Sequence, residues 1–237
     1  MIKVVFFDLD GTLLPMDLGT FIKAYVGTMA DHLGALGYDK RKLVECFKCG
    51  IDAMLKNDGT MTNEAAFWAA MDKCYGDKIS RDIDSFNAYY ETTFDTLGTL
   101  CGYTPRAREI LDMLHEMEIP CVLATSPVYP RVATDRRMRW AGISADDFIA
   151  VTSFETSRYA KPNPLYFSAL AKELGYLPEE CLVVGNDTTD DLAAVEVGMK
   201  IFLLTNDLIN RDNIDISAYP NGGYDELVSY LKTTFKK

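Results

Sequence analysis

The chain begins with an unbroken apolar run, Val4-Val5-Phe6-Phe7, that ends abruptly in Asp8-Leu9-Asp10-Gly11-Thr12. Apolarity without alternation is the pattern of a short strand buried on both faces. After it the period changes to that of a helix. Leu18, Phe21, Ile22, Tyr25, Val26, Met29 and Leu33 share one face, and so do Leu43, Phe47, Ile51, Met54 and Leu55. Phe67, Trp68, Met71, Cys74 and Tyr75 repeat the spacing, as do Ile83, Phe86, Tyr90, Phe94 and Leu97. Four helices with no strand between them are predicted.

From about Gly98 short apolar strands alternate with helices. Strands are predicted at 121–125, 148–152, 181–184 and 200–204, and helices at 105–117, 130–141, 164–174 and 190–197. Thr104 and Pro105 mark a helix start, while Gly175 and Gly198 mark helix ends. A last amphipathic helix carries Leu227, Val228, Leu231 and Phe235. Strands joined by helical crossovers predict an α/β fold, a doubly wound parallel sheet covered on both faces. The helical block interrupts it as an inserted all-α domain. The expected division is an α/β core of residues 1–15 and 98–237 and a helical domain of residues 16–97, with Gly19 and Gly98 free to hinge at the crossings.

Composition narrows the function. The chain has 237 residues, 48% of them hydrophobic, and a formal charge of −11 from 35 acidic and 24 basic residues. That balance disfavours phosphate backbones and anionic lipid surfaces, so neither a nucleic-acid nor a membrane partner is expected. No apolar run approaches the roughly 18 residues of a spanning helix, and a cytoplasmic protein, monomeric by default, is expected. Among six cysteines only Cys46 and Cys49 form a C-x-x-C, without the second pair of a structural zinc site. Free thiols in the core or on a helix surface are the expectation.

In a doubly wound sheet, groups following the carboxyl ends of the strands converge on one crevice. Here these are Asp8-Leu9-Asp10, then Thr125-Ser126, then Lys161, then Asn186-Asp187 with Asp190 and Asp191. Each alone is ordinary: an acidic turn, a strand-end hydroxyl, a loop lysine, helix-start acids. Together they fit a phosphate ester. Asp8 and Asp10, two residues apart, would face one side at roughly 6 to 7 Å. With Asp187 they form an oxygen-only set that favours a hard cation such as Mg²⁺. A carboxylate nucleophile splits the reaction through an acyl phosphate, a second carboxyl shuttles the proton, and Thr125, the N–H groups after it and Lys161 hold the phosphoryl oxygens.

The stretches FFDLDGTL, CVLATSP, KPNPLYF and VVGNDTTDD resemble, in order, the four motifs of the haloacid dehalogenase-like hydrolases. The resemblance implies Asp8 as nucleophile, Asp10 as acid and base, Thr125 as phosphate contact and Lys161 as charge stabiliser. It places the phosphate among Asp8, Leu9, Asp10, Thr125, Ser126 and Lys161. Mg²⁺ would be held by Asp8, the Asp10 main-chain carbonyl, Asp187 and Asp191. The acid of the fourth motif commonly follows the glycine directly, where this chain has Asn186. Asp187 is the favoured ligand, and Asn186 as a neutral ligand beside Asp191 is the alternative. The resemblance further implies a central first strand with the fourth beside it.

The insertion after the first motif resembles the helical cap of the phosphoglycolate phosphatase-like branch, and the short stretch from Pro127 to Ala160 leaves no room for the larger cap type. Asp17, Lys23 and Arg158 are candidates for the substrate side. The expected activity is Mg²⁺-dependent hydrolysis of a small phosphorylated metabolite. Asp10 argues against a dehalogenase, which dispenses with the second acid. A β-phosphoglucomutase-like phosphomutase and, in another class, a phospho-acceptor signalling module remain the alternatives.

Overall fold

The structure, a computed structural model, describes residues 1–76 and 79–236. Its strands are β1 (Val4–Phe7), β2 (Cys121–Leu123), β3 (Ala150–Val151), β4 (Cys181–Gly185), β5 (Lys200–Leu204) and β6 (Asn221–Gly222). They form one parallel sheet in the order β3-β2-β1-β4-β5-β6. Val5 pairs with Cys121 on one side, and Val4 pairs with Cys181 on the other. The first strand is therefore central, with the fourth beside it, and the chain reverses its winding there.

The helices are α1 (Leu18–Ala35), α2 (Lys40–Leu55), α3 (Asn63–Tyr75), α4 (Ile83–Thr92), α5 (Pro105–Glu116), α6 (Arg131–Trp140), α7 (Pro164–Glu173), α8 (Ala193–Glu196) and α9 (Tyr224–Thr234). Alternate residues of β1 serve two cores. Val5 and Phe7 pack with Ile110, Leu114 and Leu231 on one face, whereas Val4 and Phe6 meet Tyr166, Phe167 and Leu170 on the other. Both faces being covered is the physical reason the strand reads as continuously apolar. No described helix is long and apolar enough to cross a membrane.

Departures from the sequence pattern occur where polar chemistry competes with it. The helix expected over 83–97 stops at Thr92, and Phe94–Leu100 continues as a tighter 3-10 helix. The helix expected from Asp190 begins only at Ala193, because Asp190 and Asp191 belong to the preceding turn. The strand expected over 148–152 shortens to Ala150–Val151. Strand β6 carries no apolar signal, and it exists because Asn221 and Gly222 pair with Leu203 and Leu204.

Helices α1 to α4 form a block capped by side chains: Asp17 accepts from Thr20 N–H at 2.7 Å, and Asp39 and Thr62 cap α2 and α3. Its interior is aromatic, with the Tyr25 and Tyr90 hydroxyls 2.6 Å apart. Cys46 of α2 and Cys74 of α3 are disulfide-bonded, their Cα atoms 5.4 Å apart. This corrects the expectation of thiols throughout. Pairing depends on how α2 lies on α3, which cysteine spacing does not report. Cys49, Cys101, Cys121 and Cys181 are free.

The block joins the sheet at a paired crossing, where Met16 bridges Cys101 antiparallel and Gly102 N–H donates to the Pro15 carbonyl at 2.7 Å. Neither expected hinge glycine sits there. Gly19 lies in the first turn of α1, and Gly98 is packed so closely on Trp140 that a Cβ would come within 2.9 Å of the indole. A second attachment fastens the far side. Fully buried Asn63 donates from its side chain to the Pro127 and Tyr159 carbonyls at 3.1 and 3.2 Å, and Arg158 donates to the Gly59 and Thr60 carbonyls.

Candidate active site

Asp8 is the first residue past β1, and its N–H still donates to the Val184 carbonyl at 2.9 Å. The chain then folds back on itself, the Leu9 carbonyl accepting from the N–H groups of Thr12, Leu13 and Leu14 at 3.1, 3.0 and 2.8 Å. Leu9 itself is fully buried. Gly11 has φ +79°, and a Cβ there would lie 2.1 Å from Asn186 Nδ2. Asn186 accepts from the Thr12 hydroxyl at 3.1 Å and donates to the Asp207 carbonyl at 2.7 Å. Gly11→Ala should thus cost about 1–3 kcal/mol. Thermal denaturation checks this, and an unchanged midpoint would mean that the loop relaxes freely.

Lys161 supplies the positive centre. It is 1% exposed and donates to Asp8 Oδ1 at 2.8 Å and to Asp191 Oδ1 at 2.7 Å. Burial alone would lower its pKa, but Asp191 and then Asp8 outweigh burial and hold it well above the ordinary lysine value. Asp191 is tucked against the strand end, where a Cβ on Gly185 would lie 2.2 Å from its Cγ, and its Oδ2 accepts from Asp187 N–H at 2.9 Å. Burial pushes Asp8 up to about 7, with Asp191 and Asp10 adding to the rise and Lys161 opposing it.

Asp10 has a partner that the sequence did not announce. The guanidinium of Arg137, on α6 and fully buried, donates through Nη1 to Asp10 Oδ2. Arg137 also donates to the Thr134 hydroxyl at 3.1 Å and lies 4.2 Å above the Tyr129 ring. Asp10 Oδ1 is buried without a hydrogen-bond partner among the described residues. Burial raises the Asp10 pKa, with Arg137 opposing.

Thr125 follows β2. Its carbonyl accepts from the Thr152 and Tyr166 hydroxyls at 2.8 and 3.0 Å, and its own hydroxyl is left unengaged by the described residues. Ser126 is half-buried beside it. Asp187 Oδ1 accepts from the Thr189 and Asp190 N–H groups at 2.8 and 3.1 Å, and its Oδ2 takes Arg211 at 2.8 Å. Burial, then Asp187, pushes Asp190 up to about 6.

Asp8, Asp10, Thr125, Ser126, Lys161, Asn186, Asp187, Asp190 and Asp191 border one cavity of about 180 Å³. The substrate-side candidates do not. Asp17 caps α1, Lys23 is solvent-exposed on it, and Arg158 serves the attachment of the helical block.

An arginine in the buried stripe formed by Ala133 and Arg137 of α6 and by Ala141 at its end was the available signal for the Asp10 partner. Arg211, on a loop, offered none. Among the described residues the carboxylates Asp8, Asp10, Asp187, Asp190 and Asp191 meet three cations, Lys161, Arg137 and Arg211, so carboxyl groups outnumber cations in the cavity. An oxygen-only donor set with excess negative charge fits a hard divalent cation. Among the described residues no three acidic side chains yet converge on a single point.

The signature of the haloacid dehalogenase-like hydrolases matches residues 2–198. A phosphoglycolate phosphatase of Vibrio vulnificus (strain YJ016) is 27% identical over 205 residues, covering 86% of this chain and 84% of that protein. Solved structures share the fold. A phosphatase of the same superfamily from Thermococcus onnurineus superposes with a TM-score of 0.58 at 21% identity, over 97% of this chain and 98% of that one. A β-phosphoglucomutase from Clostridium difficile does so with a TM-score of 0.58 at 18% identity, over 99% and 97%. With the signature spanning all four strand-end clusters, the chain belongs to the haloacid dehalogenase-like hydrolases.

Proposed function

We propose that the enzyme is a phosphoric monoester hydrolase that works through a phospho-aspartyl intermediate on Asp8 with Mg²⁺ bound. The observation that carries this reading is the division of labour within each carboxyl group. Asp8 Oδ1 is held by Lys161, so Oδ2 is the oxygen turned to attack phosphorus. Asp10 Oδ2 is held by Arg137, so the unpartnered Oδ1 is the oxygen that carries the proton.

In the first step Asp8 Oδ2 bonds to phosphorus, the ester P–O bond breaks, and Asp10 gives its proton to the leaving alkoxide. In the second, Asp10 takes a proton from water as that water's oxygen bonds to phosphorus and the acyl P–O bond breaks. Inorganic phosphate leaves and Asp8 is restored. Thr125 and Lys161 hold the phosphoryl oxygens throughout, which stabilises charge that grows at the transition state. The raised pKa of Asp10 suits a group that must be an acid in one step and a base in the next.

When bound, Mg²⁺ would neutralise the carboxylates and the phosphoryl oxygens. Asp8, the Asp10 carbonyl and Asp191 would hold it, with Asp187, its Oδ2 kept by Arg211, as the further ligand. Asn186, tied to Thr12 and Asp207, supports the loop instead. The helical block acts as a cap that excludes water and shapes the substrate site. Phosphate release from a generic aryl phosphate should require Mg²⁺ and stop in EDTA, and chemical trapping should recover phosphate on Asp8. EDTA-insensitive turnover would overturn the metal assignment.

The pKa shifts fix a further sign. Asp8 titrates near 7 in the folded metal-free protein against 3.8 for the free side chain, so between these values the folded state binds the extra proton. The contribution of Asp8 to stability without metal therefore falls as pH rises from about 4 to about 7. Mg²⁺ binds the ionised form, so the rise in melting temperature that it produces should be larger at pH 8 than at pH 5. Equal rises at both pH values would separate the metal from these carboxylates.

A further inference from the structure

Opposite the acidic floor, the cavity is walled by Leu18 and Ile22 of α1, Ile51 and Leu55 of α2, and Val128 and Ile209. None of these side chains offers a hydrogen bond or a charge. Of the hydroxyl-bearing side chains that border the cavity among the described residues, Thr125 and Ser126 lie with the phosphate site at the floor, and Tyr129 is buried with its ring stacked under Arg137. Among the described residues each cation near the floor already has a carboxylate partner: Lys161 has Asp8 and Asp191, Arg137 has Asp10, and Arg211 has Asp187.

Ile22 and Leu55 are 41% and 38% exposed, on the two helices that face the nucleophile. Apolar side chains left in water around a cavity mouth mark what the site is built to cover. At about 180 Å³ the cavity lies below the roughly 300–1,000 Å³ of pockets for drug-sized ligands, and the phosphoryl group takes part of it.

We propose that the substrate is a small phosphate monoester of an apolar alcohol, whose hydrocarbon part rests on Leu18, Ile22, Ile51 and Leu55 while its phosphate lies over Asp8. The assignment rests on the phosphatase reading above and adds the substrate class. A carboxylate on the alcohol, as in phosphoglycolate, would be desolvated against this wall with no cation to meet it. The hydroxyls of a sugar phosphate would lose water without gaining partners.

The test compares ethyl, n-butyl, glycerol and glycolate phosphates in Mg²⁺, all of which release an alkoxide. We expect kcat/KM to rise about fourfold per methylene from ethyl to n-butyl phosphate, and n-butyl phosphate to exceed phosphoglycolate by at least about 10²-fold. Leu55→Arg and Ile22→Lys, both at half-exposed positions that tolerate charge, should each narrow the ratio of n-butyl phosphate to phosphoglycolate by about 10-fold or more. Phosphoglycolate or glycerol phosphate turning over as well as n-butyl phosphate, or a ratio unmoved in both variants, overturns the substrate class while leaving the phosphatase reading standing. No phosphate release from any of the four, nor from an aryl phosphate, overturns that reading itself.

Discussion

Asp8→Asn is expected to lower kcat by at least about 10⁴-fold, the scale on which loss of a nucleophile is felt. An amide oxygen at this position cannot form the acyl phosphate, and the two carboxylates that act on Asp8 are engaged by other groups. Asp10 is held by Arg137, and Asp191 is held by Lys161 and the Asp187 N–H. The fold should survive, because Asn preserves the size of the side chain. It also removes a buried charge: burial first, then Asp191 and Asp10, push the Asp8 pKa upward against the pull of Lys161, so the neutral variant should melt no lower than the parent at pH 8. Turnover above about 1% of the parent in a folded variant would place the nucleophile elsewhere.

Arg137→Met is expected to act on both chemistry and stability. The guanidinium grips Asp10 Oδ2, reaches Thr134 and covers the Tyr129 ring, all inside the core. Removing it leaves Asp10 buried with no partner on either oxygen, a state that costs about 3–5 kcal/mol when one member of a buried ion pair is deleted. Asp10 then holds its proton and loses its orientation toward the leaving oxygen. We expect kcat to fall by about 10²- to 10⁴-fold, the range of general acid–base help, with KM nearly unchanged because the phosphate contacts remain. Arg137→Lys keeps the charge without the planar fork, and it should recover part of kcat. An equal loss of kcat in both variants would make the fork itself indispensable. An unchanged kcat in folded Arg137→Met would reduce Arg137 to a packing role.

Much of this arrangement was legible in the chain. The apolar runs located β1, β2, β4 and β5, and the helical periods located α1 to α3 closely. Those signals survive in sequence because burial imposes them residue by residue. Strand β6 was not legible, since Asn221 and Gly222 are recruited by backbone pairing with β5 and carry no apolar mark.

The convergence of Asp8, Asp10, Thr125, Lys161 and Asp191 on one cavity could be read because they follow strands in order. The tasks of their neighbours could not. Asp10 and Arg137 are separated by 127 positions, and Asn186 and Gly11 constrain each other across β1 and β4. Such pairings depend on side-chain reach in three dimensions. The Cys46–Cys74 link is of the same kind, chosen by the packing of α2 on α3.

Because Met16 and Cys101 run side by side where the chain leaves and re-enters the sheet, residues 17–100 depart and return through a single doorway. A different helical segment spliced at this point would need ends that meet at the same spacing and a side chain that remakes the Asn63 contacts with Pro127 and Tyr159. On the function proposed above, substrate choice and bond-breaking chemistry would thus be carried on separate stretches of the gene, and selection could rewrite one while holding the other still.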